Sequence, residues 1–232
     1  MFFKLDAFWR VGFYADPLSV SIEYQGGGRF DDPEKELTVL YGADCAETCI
    51  IERANPWAPH TDASYAQRTE APEAEADAEL QNTELEQAEG DRDIAMRPHT
   101  MPADIYDAAK VYVALADPVI LLDIDDIAVR RDLSQMPEIR SEMDSAAVPD
   151  LDRSVLLGRH LRITRAISGF LMRNPFAGHS FAGIRTLSRH QGESYVLFAG
   201  RYKLGALMVG PITLTRDDPD VVDAALKLRL IA

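Results

Sequence analysis

The sequence predicts an α+β fold, a mixed β core with flanking helices, on three observations. Short aromatic or aliphatic runs suited to strands occur near both ends of the chain. One long stretch between them has helical apolar periodicity. The last three strand-like runs have tight connections. Strands interrupted by a few helices, with antiparallel pairing late in the chain, fit this order.

Met1 to Asp6 is apolar at once but meets charge within a few residues, and reads as the first strand of the fold. It lacks a basic leader and a small-residue cleavage site, so no signal peptide is expected. Phe8-Trp9-Arg10-Val11-Gly12-Phe13-Tyr14 is rich in aromatic residues and reads as a strand. Gly26-Gly27-Gly28-Arg29-Phe30 is a flexible loop, and Thr38 to Gly42 a further strand. Asp44 starts a helix that carries Ala46, Cys49, Ile50 and Glu52.

Residues 56–98 differ in kind. Pro56, Pro59, Pro72 and Pro98 punctuate a stretch of Ala, Glu, Gln, Asp and Thr with few large apolar side chains. Such a segment does not bury enough to offset its ordering entropy. It is expected to be a disordered acidic insertion within a single domain spanning 1–232, with at most a transient helix over Ala76 to Ala88. It serves either as a solvated linker or as an arm that binds a partner.

Structure resumes near Ala103. Val119 to Ile124 follows Pro118 and reads as a strand, and Asp125-Asp126 closes it before a short helix through Arg130-Arg131. Leu133 to Pro149 is polar and mixed. Asp152 is the candidate N-cap of the strongest helix, Arg153 to Arg173, with Leu156, Ile163, Ile167, Phe170 and Leu171 at helical spacing. Asn174-Pro175 ends it. Phe181–Leu187, Ser194–Gly200 and Ala206–Leu214 read as three strands. Asp218-Pro219 opens a terminal helix with Pro at its first position.

Composition excludes several classes. Apolar residues make up 47% of the 232, an ordinary globular share. No stretch approaches the ~20 apolar residues of a membrane-spanning helix. The net charge of −14 argues against non-specific binding of nucleic acid through its phosphates. Glu70 to Asp93 alone holds ten acids and one base, and subtracting its −9 from −14 leaves −5 elsewhere, compatible with a local anion pocket. Cys45 and Cys49, at i and i+4, have no nearby His or Cys to complete a metal site and read as reduced thiols, which favours a cytoplasmic protein.

Three places set polar residues in apolar surroundings. The glycines beside Arg29 allow close backbone approach to a ligand, and the guanidinium offers a planar fork for a pyrophosphate. No Gly-Lys-Ser/Thr follows, so this is not a P-loop. Tyr41 and Glu52 stand eleven residues apart across a strand-to-helix turn. Gly183 to Arg189 delivers Ser188 and a guanidinium at a strand end, without the Gly-x-Ser-x-Gly elbow of a hydrolase. Taken singly, each of these also fits a turn or a surface side chain. Arg159, Arg162 and Arg165 share a helix face, either to hold a phosphate or to pair with local acids and solvent.

Together these pieces resemble the RES domain family, named for its Arg, Glu and Ser. The matching positions are Arg10, Gly28-Arg29-Phe30, Tyr41-Gly42-Ala43, Glu52, Gly183-Ile184, Ser188-Arg189 and Leu197-Phe198. One departure stands out: Thr186 occupies the place where the family's last motif has Tyr. The resemblance implies an ADP-ribosyltransferase-like core and cleavage of NAD by glycohydrolysis, phosphorolysis or ADP-ribosyl transfer. It implies catalytic roles for Glu52, Arg29 and Ser188, and binding roles for Arg10, Arg29, Tyr41 and Ser188. NAD is then a substrate, with no further cofactor and no metal. The implied protein partners are an Xre-type antitoxin, to which such toxins are paired, and a second copy in a homodimer. The alternative is a catalytically inactive RES-like protein that holds a nucleotide or a partner.

Overall fold

The computed structural model describes residues 2–20, 22, 28–34, 36–54, 101–158, 160–188 and 192–228. The acidic insertion, Gly26, Gly27, Arg159 and Arg189 lie outside the described residues. The elements in chain order are β1 (Phe2–Phe13), β2 (Val39–Ala43), α1 (Ala46–Ala54), β3 (Ala108–Asp123), α2 (Ile127–Leu133), α3 (Pro137–Ser145), α4 (Arg153–Leu157), α5 (Leu161–Arg173), β4 (Gly183–Leu187), β5 (Glu193–Phe198), β6 (Leu204–Thr213) and α6 (Pro219–Leu228). This is the expected α+β architecture.

The strands form one mixed sheet in the order β1-β2-β5-β4-β3-β6. β1 also pairs with β3, so five strands close a ring and β6 flanks β3 outside it. Among the described strands only β3 and β4 run parallel. The β4–β5 hairpin is antiparallel, as expected. β6 does not continue that hairpin but crosses to β3.

Alternation along the strands divides the core. Leu40 of β2 and Leu197 of β5 join Leu5, Phe8, Val113 and Leu121 on one face. Val39, Val196, Phe198 and Ile184 point the other way, against α2–α5. There α5 buries Ile163, Ile167 and Leu171, a stripe at i, i+4 and i+8, each side chain contributing roughly 1.5–3 kcal/mol. A third cluster packs α1 and α6 against β1 and β3 through Ile50, Ile51, Val221 and Ala225.

Several expectations are corrected. The described parts of the first two runs, Phe2 to Asp6 and Phe8 to Phe13, belong to a single strand, with a register shift between Leu5 and Ala7. β3 begins eleven residues before the expected strand and passes through Pro118. That proline falls between the last pairing with β6, at Leu115, and the first with β4, at Leu121, so its missing N–H breaks no ladder on that side. The expected helix 153–173 is two helices. Gly158 ends α4 with extended ψ, where a Cβ would stand 2.6 Å from the Ser154 carbonyl oxygen. Asp152 does cap α4, accepting from the Val155 N–H at 3.0 Å. The polar stretch after Leu133 holds α3, with Pro137 in its first turn and Ile139 and Met143 buried one turn apart.

Candidate functional site

Glu52 lies on α1, whose neighbouring Ile50, Ile51 and Ala54 fill the core, which leaves Glu52 half-buried at the edge. Ser188 follows directly after β4 and is buried. Its hydroxyl donates to Glu52 Oε1 at 2.5 Å, joining residues 136 positions apart. A hydroxyl-to-carboxylate bond this short is charge-assisted and holds the carboxylate in one orientation. The strand end beneath it is fixed as well. The Leu187 N–H donates to Asp125 Oδ2 at 2.6 Å, and the Ser188 N–H to the Gly192 carbonyl at 3.0 Å.

The second group gathers on the loop before β2. Tyr41 Oη donates to Asp31 Oδ1 at 2.8 Å and accepts from the Phe30 N–H at 3.0 Å. Burial, and then the nearby Asp31 charge, hold the Tyr41 phenol well above its usual range. The Gly28 N–H donates to Asp31 Oδ2 at 2.7 Å. From α5, Thr164 Oγ1 donates to the Arg29 carbonyl (2.6 Å), Arg165 Nε to the Gly28 carbonyl (3.2 Å) and Ser168 Oγ to the Asp31 carbonyl (3.3 Å). The Arg29 side chain is half-buried and makes no hydrogen bond or ion pair among the described residues. Next along the loop, fully buried Asp32 accepts from Arg173 Nη2 at 2.8 and 3.0 Å.

The sheet connects the two groups. Tyr41 stands opposite Val196, and Val196 opposite Ile184. The next row of that face is Ala43, Ser194 and Thr186, and Ser188 follows two residues after Thr186. Thr186 is buried in this row. Ser194 Oγ is buried without a hydrogen-bond partner among the described residues.

Arg10 bonds only main-chain carbonyls among the described residues, that of Tyr41 included. It donates from Nε to the Pro17 carbonyl (2.5 Å), from Nη1 to the Tyr41 carbonyl (2.8 Å) and from Nη2 to the Ser19 carbonyl (3.3 Å). Burial lowers its pKa to about 10. Arg165, one of the three arginines expected on a helix face, is turned to the Gly28 carbonyl. Cys49 donates to the Trp9 carbonyl at 3.2 Å, and burial pushes its thiol pKa up. Among the described residues no group of three or more His, Cys, Asp or Glu could hold a metal ion, and no helix is long and apolar enough to cross a membrane.

The residues that pattern reading passed over are the supports. Asp31, Thr164 and Ser168 hold the Arg29 loop, and Asp125 holds the strand end before Ser188. The visible signal was an acid pair, Asp31-Asp32, placed directly after a Gly-Arg turn and ten residues before a strand tyrosine. Such pairs occur in ordinary loops, and only the fold shows what these two carboxylates accept.

Comparison with known proteins bears on the whole arrangement. A solved structure, the crystal structure of the M. tuberculosis MbcT-MbcA toxin-antitoxin complex, contains a chain 17% identical to this one, with a TM-score of 0.47 over 98% of this chain and 89% of that chain. No curated protein matches. The family model described as the RES domain matches residues 7–216, a span that contains Arg10, Arg29, Tyr41, Glu52 and Ser188. The chain belongs to the RES domain family.

Proposed function

We propose that this chain cleaves the nicotinamide–ribose bond of NAD, and that it is the toxin of a toxin–antitoxin pair acting in the cytoplasm. The observation that carries the reading is the Ser188–Glu52 hydrogen bond. It fixes a half-buried carboxylate of α1 on a residue two positions past Thr186, which stands in the row next to that of Tyr41. The C–N bond breaks with its electron pair going to the ring nitrogen, so nicotinamide leaves neutral and the ribose carbon becomes oxocarbenium-like. Glu52 stabilises that developing positive charge and binds the ribose hydroxyls. Ser188 orients Glu52. Arg29 clamps the pyrophosphate with a guanidinium that makes no hydrogen bond among the described residues. Tyr41 offers its ring to the nicotinamide. Its hydroxyl already donates one hydrogen bond and accepts another, so the ring is what remains for a ligand.

Arg10 in this reading supports the pocket through the Tyr41 carbonyl, and contacts an anion only if its carbonyl bonds are exchanged. Because nicotinamide is a cationic pyridinium before it leaves, the bond breaks without help from a metal. NAD is the substrate, and no further cofactor is invoked. An Xre-type antitoxin is the partner that would close the pocket, and a second copy of the chain in a homodimer is a further one.

The test is to incubate the purified full chain with NAD and follow free nicotinamide. Release that needs Glu52 is expected. The acceptor follows from the product: ADP-ribose with water, ADP-ribose 1″-phosphate with phosphate, or modified protein. Absence of nicotinamide sinks the enzymatic reading. Tight NAD binding without release would instead support a nucleotide-holding protein, the reading that Thr186 in place of Tyr favours.

A further inference from the structure

We propose that Asp31 is the positioning residue of the site: it sets where Arg29 stands, and acts on the ligand only through Arg29. The inference rests on the reading of Arg29 as the anion clamp. Its physical basis is the geometry of one buried carboxylate. Asp31 is 1% exposed, and its two oxygens accept from different partners on either side of Arg29. Oδ2 takes the Gly28 N–H at 2.7 Å, and Oδ1 takes the Tyr41 hydroxyl at 2.8 Å. The same hydroxyl accepts from the Phe30 N–H. Arg29 is therefore the residue between two backbone amides that are both referred to Asp31, one directly and one through Tyr41.

A buried carboxylate is costly unless its oxygens are hydrogen-bonded, so its retention here calls for a role. The packing around it leaves no slack. A Cβ at Gly28 would stand 2.6 Å from Asp31 Oδ1 and 2.4 Å from Tyr41 Oη. The carbonyls of Gly28, Arg29 and Asp31 are bonded from α5 by Arg165, Thr164 and Ser168. Asp31 and Tyr41 therefore hold the amide side of the loop, while α5 holds its carbonyl side. What the loop leaves unbound among the described residues is the Arg29 guanidinium. A bidentate anion contact is sensitive to the placement of its fork, so a pre-set loop raises affinity by removing the ordering cost of binding.

Asp31→Asn is the decisive variant. An amide oxygen can accept from one of the two partners but not serve both as the carboxylate does, and its NH2 then meets a donor. The expected result is a KM for NAD raised about tenfold with kcat within threefold. Arg29→Ala and the double variant Arg29→Ala/Asp31→Asn should be equally impaired, because Asp31 has nothing left to position. Additive losses, or an unchanged KM, would overturn the proposal. The second readout is amide hydrogen exchange at Gly28 and Phe30, which should quicken at least tenfold in Asp31→Asn, and by more than at core amides such as those of α5 in the same variant. Unchanged exchange also overturns it. If the wild type releases no nicotinamide, the cleavage reading fails by itself, and the exchange measurement still decides whether Asp31 braces the loop. Should Asp31→Asn not fold, Tyr41→Phe removes one of the two partners and is judged by the same exchange.

Discussion

Around Arg29, three carbonyls and two amides of the 28–31 loop are bonded by side chains from β2, α5 and the loop itself. Glu52, on α1, is held among the described residues by one side-chain hydrogen bond, from Ser188. The first group is placed by scaffolding and leaves the side chain proposed as the anion clamp without a hydrogen bond among the described residues. The second is placed by direct contact between the two side chains proposed to act on the bond. The difference teaches how each should fail. Damage to the loop should change how well a ligand binds, whereas damage to the Glu52–Ser188 pair should change the bond-breaking step.

The largest expected effect is on the contact side. Glu52→Gln keeps the shape and a hydrogen-bond acceptor but removes the negative charge. Nicotinamide release should fall about 10²–10³-fold in kcat, with KM changed little, because the lost stabilisation belongs to the transition state. A steady-state NAD titration measures both constants. A loss confined to KM would place Glu52 in binding and erase the contrast between the two groups.

Ser188→Ala should come next. It removes one charge-assisted bond, a contribution of about 1.5–3 kcal/mol, so kcat should drop roughly 10- to 100-fold. The Glu52 charge remains, hence the smaller effect. Losses in Glu52→Gln and Ser188→Ala should be less than additive in the double variant, since the hydroxyl works through the carboxylate. Full additivity would separate the pair.

Gly28→Ala probes the scaffolding side. The new methyl must displace the Tyr41 hydroxyl or Asp31, and overpacking of this kind costs about 1–3 kcal/mol. Thermal melting should show a lowered midpoint, and NAD titration a raised KM with kcat nearly kept. A fall in kcat alone would mean that the loop and the Glu52–Ser188 pair are one mechanical unit.

Much of the fold was legible because it follows local rules. The core stretches of β2, β4 and β5 are short apolar runs, α6 starts at a recognisable cap, Asp218 before Pro219, and the stripe of α5 has clear helical spacing. What was hidden depended on partners far along the chain. Pro118 reads as a stop until it is seen where one edge of β3 changes neighbours. Gly158 reads as a tolerated helix residue until the Ser154 carbonyl is seen where its Cβ would be. α3 buries only Ile139 and Met143, too sparse a pattern to stand out from its polar surroundings. At the site, residue type and resemblance singled out Glu52, Arg29 and Ser188, but a contact across 136 residues has no local signature. Asp31 and Asp32 looked like loop acids, and the distant partners that hold them, Tyr41 of β2 and Ser168 and Arg173 of α5, have no local signature.

The smallest effect concerns pH and belongs to the scaffolding side alone. Burial of Asp32 opposes its ionisation, but the Arg173 guanidinium and the N–H groups of Leu37, Glu36 and Glu34 outweigh it and hold the carboxyl below its usual range. A carboxyl lowered in the folded state stabilises the fold above its unfolded pKa of about 4 and gives up that contribution as pH falls through the folded value. Urea unfolding at intervals from pH 6 down to pH 3 should therefore show wild-type stability declining across the acid end more steeply than that of Asp32→Asn, which has no proton to take up there. The two profiles should run parallel near pH 6 and diverge in slope from about pH 5 downward, as the unfolded chain begins to take up the proton. Parallel profiles throughout would mean that the Arg173–Asp32 pair lends the loop no net electrostatic support, and that the contrast with Glu52 and Ser188 rests on the bonds of Asp31, Tyr41 and α5.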